Sequence, residues 1–413
     1  MPGRRLDQVD ATRPVKQAGV ISTHVLLFFA PASAGLAAGA LLTLLHVSRD
    51  AFFFISACML AYAYADLNRA GLGRFYWRRF VSVGIPYLCW TAIYYLYTFR
   101  ASHYGSTGKA LWAIPHLLYV GYYHLYFLLV IMQFYLVFPL LLVLLRRTKG
   151  HHGLIAAATV VFEFVYMALM HWNLLPSGMS GVWAQRELPT YLIYLVGGAI
   201  IAFHLTEAHE WVVRNAWLVV VLTLVAALGA ELVYYLAANG VTTVLGSGDD
   251  PFQPSVIPFN AGAIACLYLI GVALVRPDRS GRERALVRSG SDNAYGVYLA
   301  QMIFINGLLW LGWERLDNTV PWPLVCALTV VIVYLGSFTL TCLLARTPLS
   351  VALTGRRRVP LIRRTERDSD TSVDRAERPH SGRHRVPRGR RRNGDHDLRR
   401  TARVGVSVGA AAD

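Results

Sequence analysis

The sequence predicts an all-α polytopic membrane protein with about ten transmembrane helices, and three observations carry that prediction. Of 413 residues, 55% are hydrophobic and only 15% are charged, whereas about a quarter of a soluble domain is charged. The apolar residues gather into runs of roughly 18 to 27, the length a helix needs to cross about 30 Å of hydrocarbon. Basic residues collect in alternate connections between those runs, which is the positive-inside pattern. A formal net charge of +16 beside a mean hydropathy of +0.41 excludes an ordinary soluble enzyme.

Taken in order, the predicted spans cover 19–45, 51–68, 80–99, 122–145, 153–171, 189–206, 216–237, 258–275, 294–312 and 322–345. Arg4, Arg5, Arg13 and Lys16 precede or open the first; Arg69, Arg74, Arg78 and Arg79 come after the second. Further basic groups come after the fourth, sixth, eighth and tenth, while 172–188, 238–257 and 313–321 are poor in charge. The alternation predicts a plasma-membrane protein with both termini in the cytoplasm. The first apolar run is too long for a cleavable signal and is expected to stay as an anchor.

The chain divides into three regions: a cytoplasmic segment over 1–18, a ten-helix domain over 19–345 and an Arg-rich tail over 346–413. The tail has almost no aromatic residues and no apolar period, so it is predicted to be disordered. Its arginines suit anionic lipid headgroups; without a folded recognition module, nucleic acid is not expected as a partner. The connection 100–121, with Trp112, reads as an interfacial turn or a plain connector. The Gly-, Ser- and Pro-rich 238–257 reads as a flexible loop. Cys58, Cys89, Cys266, Cys326 and Cys342 all fall inside apolar runs without metal-ligand spacing. They read as small buried hydrophobes, and neither a disulfide nor a metal site is expected.

Ionisable residues within the hydrocarbon are costly and so mark candidate sites. His24, Glu163 and Glu231 lie there, although both glutamates read equally well as buried structural partners. His24 stands apart because of VDATRPVKQAGVISTH, residues 9–24. Pro14 has no N–H to lose and a φ preset for a first helical turn, so the helix is predicted to start there. Ten residues separate Arg13 from His24, about three helical turns or roughly 15 Å along the axis. Arg13 at the headgroup level can grip a phosphate with several N–H donors. A neutral imidazole further in can take a proton from a hydroxyl. A structural histidine bonded to a neighbouring helix is the plainer alternative.

The same spacing, with Asp10 three residues before Arg13, resembles the signature of membrane acyltransferase family 3. Four further segments resemble that family in the same order. AFFFISACMLAYAY (51–64) places Ser56 in the family's serine position and Ala57 where glycine is usual. RFYWRRFVSVGIPYLCW (74–90) carries Arg74, Arg78, Arg79 and Pro86. HLYFLLVIMQFYLVFPLL (124–141) has Tyr126 in place of tryptophan, and SDNAYGVYLAQMIF (291–304) has Gln301 where histidine is common.

The resemblance covers roughly residues 6–345. It implies a bacterial O-acyltransferase that takes an acyl group, acetyl first among them, from acyl-CoA and gives it to a hydroxyl of a glycan, lipid or metabolite. No permanently bound cofactor is implied; acyl-CoA is a co-substrate. On this reading His24 is the general base, Asp10 orients Arg13 or supports the His24 region, and Arg13, Arg74, Arg78 and Arg79 hold the donor phosphates. Arg13 and Arg78 are the first choices among the four. Tyr126, Gln133 and Tyr135 would hydrogen-bond the donor or a developing oxyanion, or simply pack. A multi-pass transporter or flippase is the competing class, although no matched pair of Gly- or Pro-broken helices stands out in the two halves. A membrane scaffold is the third.

Overall fold

The structure is a computed structural model describing residues 6–99, 114–116, 118–176, 183–241, 243, 245–246, 252–276 and 278–358. They belong to one compact unit, Met1–Leu361; the second unit, Ile362–Asp413, lies outside the described residues. Most of the predicted turn at 100–121, with Trp112, and part of the 238–257 loop lie outside them too.

Each of the ten predicted spans is largely helical where described. The chain begins with α1 (Asp7–Asp10), α2 (Arg13–Phe29), α3 (Gly35–Leu45), α4 (Val47–Ala63), α5 (Leu72–Arg79) and α6 (Ile85–Phe99). It continues through α7 (Tyr126–Arg147), α8 (His152–His171), α9 (Leu192–Phe203), α10 (Leu205–Arg214) and α11 (Ala216–Ala238). The last four are α12 (Val256–Leu274), α13 (Gly281–Trp310), α14 (Trp322–Leu344) and α15 (Ser350–Thr354). Among the described residues six stretches are long and apolar enough to cross a membrane: Ala32–Ala63, Tyr123–Arg147, His152–His171, Ala216–Ala238, Val256–Leu274 and Trp322–Leu344. The pair ending in α9 and α10, bent by 99°, makes a seventh if counted as one broken span.

Several element boundaries differ from the sequence expectation. The apolar run 19–45 is two helices, because Pro31 holds Ala30 extended at ψ 128° and ends α2. Beyond Pro31 the helix is nearly continuous from Ala32 to Ala63, through the junction at His46. Helix α2 already includes Arg13, with Pro14 in its first turn. Helix α13 starts at Gly281, thirteen residues before the predicted span, because Ser280 and Glu283 form a capping box with bonds of 2.8 and 3.2 Å. Residues 346–358, grouped with the tail on composition, fold back as α15. Ser350 and Thr354 are buried there, and Trp90 Nε1 donates to the Leu353 carbonyl at 2.9 Å.

Two apolar cores form. One gathers α4, α7, α8 and α9; the other gathers α2, α6, α13 and α14. Phe127 and Tyr135 of α7 pack against both. Within the first core, α4 and α9 approach backbone to backbone at Gly198, where a Cβ would lie 2.1 Å from the Phe54 carbonyl oxygen. Small residues serve such crossings because lipid supplies no hydrophobic drive between helices, so close packing must hold them together.

Candidate active site

Helix α2 presents Arg13, Lys16, Val20, Thr23, His24 and Leu27 to one cavity of about 840 Å³. Their three- and four-residue spacing is that of a single helical face. The cavity lies where the two cores meet, with Phe127 and Tyr135 in its wall.

At one end Arg13 Nη2 lies 2.7 Å from Asp10 Oδ1. Asp10 therefore keeps company with Arg13 and stands fourteen residues before His24. Lys16, 2% exposed, holds its ammonium 4.4 Å from the Phe52 ring centroid. Arg79 donates to Tyr64 Oη at 3.0 Å, and its guanidinium lies over the rings of Tyr64, Phe75 and Tyr135. Arg356, just after α15, meets Asp292 Oδ1 at 3.2 Å. Both Arg79 and Arg356 line the cavity. Arg74 and Arg78 are exposed and lie outside the lining, whereas Phe75 is buried. Helix α5 thus turns its 75/79 face inward and its 74/78 face outward.

Further along α2, His24 is half-buried and its Nδ1 is buried with no hydrogen-bond partner among the described residues. Its ring lies 5.4 Å from the ring of Tyr123 and 6.1 Å from that of His124. Tyr123 has a φ of +30°, uncommon for a residue with a Cβ. Two further histidines join the cavity wall. His124 is 3% exposed, and the Tyr298 hydroxyl donates to its carbonyl. His46 Nδ1 lies 2.6 Å from the Leu42 carbonyl oxygen. A carbonyl can only accept, so Nδ1 carries the proton and Nε2 holds the lone pair.

Arg49 and Arg186 line the same cavity. Arg49 Nε donates to Asp50 Oδ1 at 3.0 Å, and its guanidinium lies 4.5 Å from the Phe252 ring and 5.2 Å from that of Tyr191. Asp50 Oδ2 accepts from Asn260 Nδ2 at 2.8 Å, and Asn260 also donates to Tyr194 Oη. Arg186 Nε donates to the Val120 carbonyl at 2.7 Å.

Gln133 does not reach the cavity. It clamps the segment that bears Arg186, donating to the Arg186 carbonyl at 2.7 Å and accepting from Leu188 N at 3.0 Å. Tyr126, Tyr135 and Ser56 do line it. Glu163 is fully buried elsewhere, accepting from Ile193 N at 3.2 Å at the start of α9. Glu231 is half-buried on α11 and also lies outside the lining. Gln301 is buried against Gln17 at 3.4 Å.

A model of the acyltransferase domain of family 3 matches residues 10–340. The chain belongs to acyltransferase family 3. The matched region runs from Asp10 nearly to the end of α14, so this acyltransferase holds almost every cavity residue within its family domain. No curated protein and no solved structure matches it. Membership makes the chain a transferase of acyl groups other than amino-acyl groups and decides against the transporter class. Sequence reasoning missed Lys16, His46, Arg49, His124, Arg186 and Arg356. Lys16 was within reach, lying three residues after Arg13 on the same face; His124 opens one of the quoted segments.

Proposed function

We propose that this acyltransferase takes an acyl group, acetyl being the expected one, from acyl-CoA on the cytoplasmic side. It passes that group to a hydroxyl of a glycan, lipid or small-molecule acceptor. The reading includes ten crossings of the plasma membrane with both termini in the cytoplasm. One observation carries it: a single cavity is lined by Arg13, Lys16 and Arg79 and also by His24, eleven residues after Arg13 along α2.

Phosphates bind where several N–H donors and fixed positive charge converge. Arg13, Lys16 and Arg79 bring such donors to one cavity from α2 and α5, and the aromatic rings around Arg79 flank its guanidinium. With the phosphates held there, the pantetheine arm leads the thioester toward His24. The imidazole takes the proton of the acceptor hydroxyl as its oxygen attacks the thioester carbonyl carbon. The tetrahedral adduct collapses, the C–S bond breaks, and the departing thiolate takes the proton back from the imidazolium. Products are an ester and free CoA. Tyr126, in the cavity wall, is the hydrogen-bond donor nearest in kind to an oxyanion partner.

The test is His24→Gln, produced at matched abundance in the membrane, with mass spectrometry of surface glycans and secreted metabolites. Acylated product is expected to fall about 10²-fold or more, the usual loss on removing a general base. Product at the parent level in a correctly inserted variant would remove His24 from the chemistry.

A further inference from the structure

Resting on that reading, we infer that the acceptor of this acyltransferase carries a negative charge, a carboxylate or a phosphate, which Arg49 and Arg186 bind beside the histidines. The cavity is more cationic than one donor requires. On the reading above Arg13 and Arg79 serve the donor phosphates, and Lys16 and Arg356 line the same cavity. Arg49 lies well away from Arg79, whose partner Tyr64 comes fifteen residues after Arg49, about 22 Å along the chain of α4, whereas the Lys16 ammonium, on the Phe52 ring, lies about one turn from Arg49. Asp50 answers the charge of Arg49, and the pantetheine arm and acyl group of the donor are uncharged, so the donor itself brings no anion to Arg49 and Arg186.

The pair is built as a binding site. Asp50 holds Arg49 through Nε, a bond that does not use the two terminal nitrogens, and Arg49 lines the cavity. Asn260 and Tyr194 brace Asp50 from behind, and Phe252 and Tyr191 flank the guanidinium. A braced, planar cation recognises a carboxylate or phosphate edge-on with little ordering cost. Arg186 joins it from a different element, on a segment clamped by Gln133, and its own Nε donates to the Val120 carbonyl. Tyr126, His46 and His24 share the cavity wall with both arginines, and the Arg49 guanidinium lies 5.2 Å from the Tyr191 ring. An anion gripped by Arg49 and Arg186 therefore hangs its hydroxyls beside the proposed base. The transfer step is unchanged: the hydroxyl loses its proton to His24, the ester C–O bond forms, and CoA leaves with the proton.

The experiment uses the full-length protein in lipid nanodiscs, [¹⁴C]acetyl-CoA and a small-molecule and glycan extract of the producing cells. Labelled esters, recognised by release of label in mild base, are separated on an anion exchanger. The expected result is that most ester label is retained as anionic product. Alkaline phosphatase then tells the sources apart: a phosphate monoester loses retention and a carboxylate keeps it. Arg49→Gln should lower the ratio of anionic to neutral labelled ester roughly tenfold or more, while Arg49→Lys keeps a bias toward anions. Arg186→Gln, which leaves the Asp50–Asn260 network intact, should lower the same ratio if Arg49→Gln fails to fold. Ester label found wholly in the neutral fraction overturns the inference and leaves the acyltransferase reading standing. So does an Arg49→Gln or Arg186→Gln variant that lowers both fractions in equal proportion. An absence of ester label from every fraction with the parent protein overturns the acyltransferase reading itself.

Discussion

Arg78 and Arg79 are neighbours in sequence and differ completely in setting: one is exposed, the other lies among three aromatic rings in the cavity wall. Arg79→Ala is expected to raise the KM for acyl-CoA tenfold or more, since a charge-assisted phosphate contact is worth about 1.5–3 kcal/mol. Arg78→Ala should change it less than about twofold, as surface substitutions usually do. Steady-state kinetics on the purified pair decides, and a larger effect at Arg78 would reverse the assignment of α5's inner face. The distinction was legible after all, because Phe75 lies four residues before Arg79 and marks the apolar face. Arg49 was not legible. Its setting depends on Asn260, Tyr191 and Phe252, all distant in sequence, and no local spacing announces such a meeting.

At the scale of elements, the crossing of α4 and α9 sets how closely the first core packs behind the cavity. Gly197 and Gly198 make a paired test. A Cβ at Gly198 would lie 2.1 Å from the Phe54 carbonyl oxygen, which is backbone and cannot swing away; at Gly197 the nearest atom is 3.6 Å off, an ordinary contact. Gly198→Ala should therefore cost about 1–3 kcal/mol, the range for an overpacked core, and Gly197→Ala close to nothing. Thermal unfolding in detergent measures both, and equal melting temperatures would contradict the close approach. Hydrophobic runs and basic loops located the helices well, because both patterns arise from the bilayer and not from tertiary contacts. The break at Ala30–Pro31 was visible as a proline but lay inside an apolar run that overrode it. Contact surfaces such as Gly198 against Phe54 leave no periodic signal.

For the molecule as a whole, the chain after α14 turns back and adds Gly355 and Arg356 to the cavity wall. Trp90 donates to Leu353, Ser350 Oγ to the Arg356 carbonyl, and Arg356 pairs with Asp292 at the cavity edge. A chain ending after Arg358 should keep donor binding and activity. One ending after Pro348 should lose several-fold in affinity for acyl-CoA, because Arg356 leaves the lining and Trp90 loses its acceptor, a buried loss of about 1–3 kcal/mol. Equilibrium binding of labelled CoA to both truncated chains checks this; equal affinity would detach α15 from the site. Composition alone assigned residues 346–358 to the tail, since five residues of helix are too few to show a period.

The hydrogen bond from His46 Nδ1 to the Leu42 carbonyl, 2.6 Å long, makes that ring a built-in spectroscopic probe. Its tautomer is set by an acceptor within its own helix, so its two ¹⁵N resonances should be far apart and assignable in selectively labelled protein. His24 has no such anchor, and its nitrogens should report the ligand instead. Adding donor or acceptor should move the His24 pair while the His46 Nδ1 signal stays fixed as an internal reference.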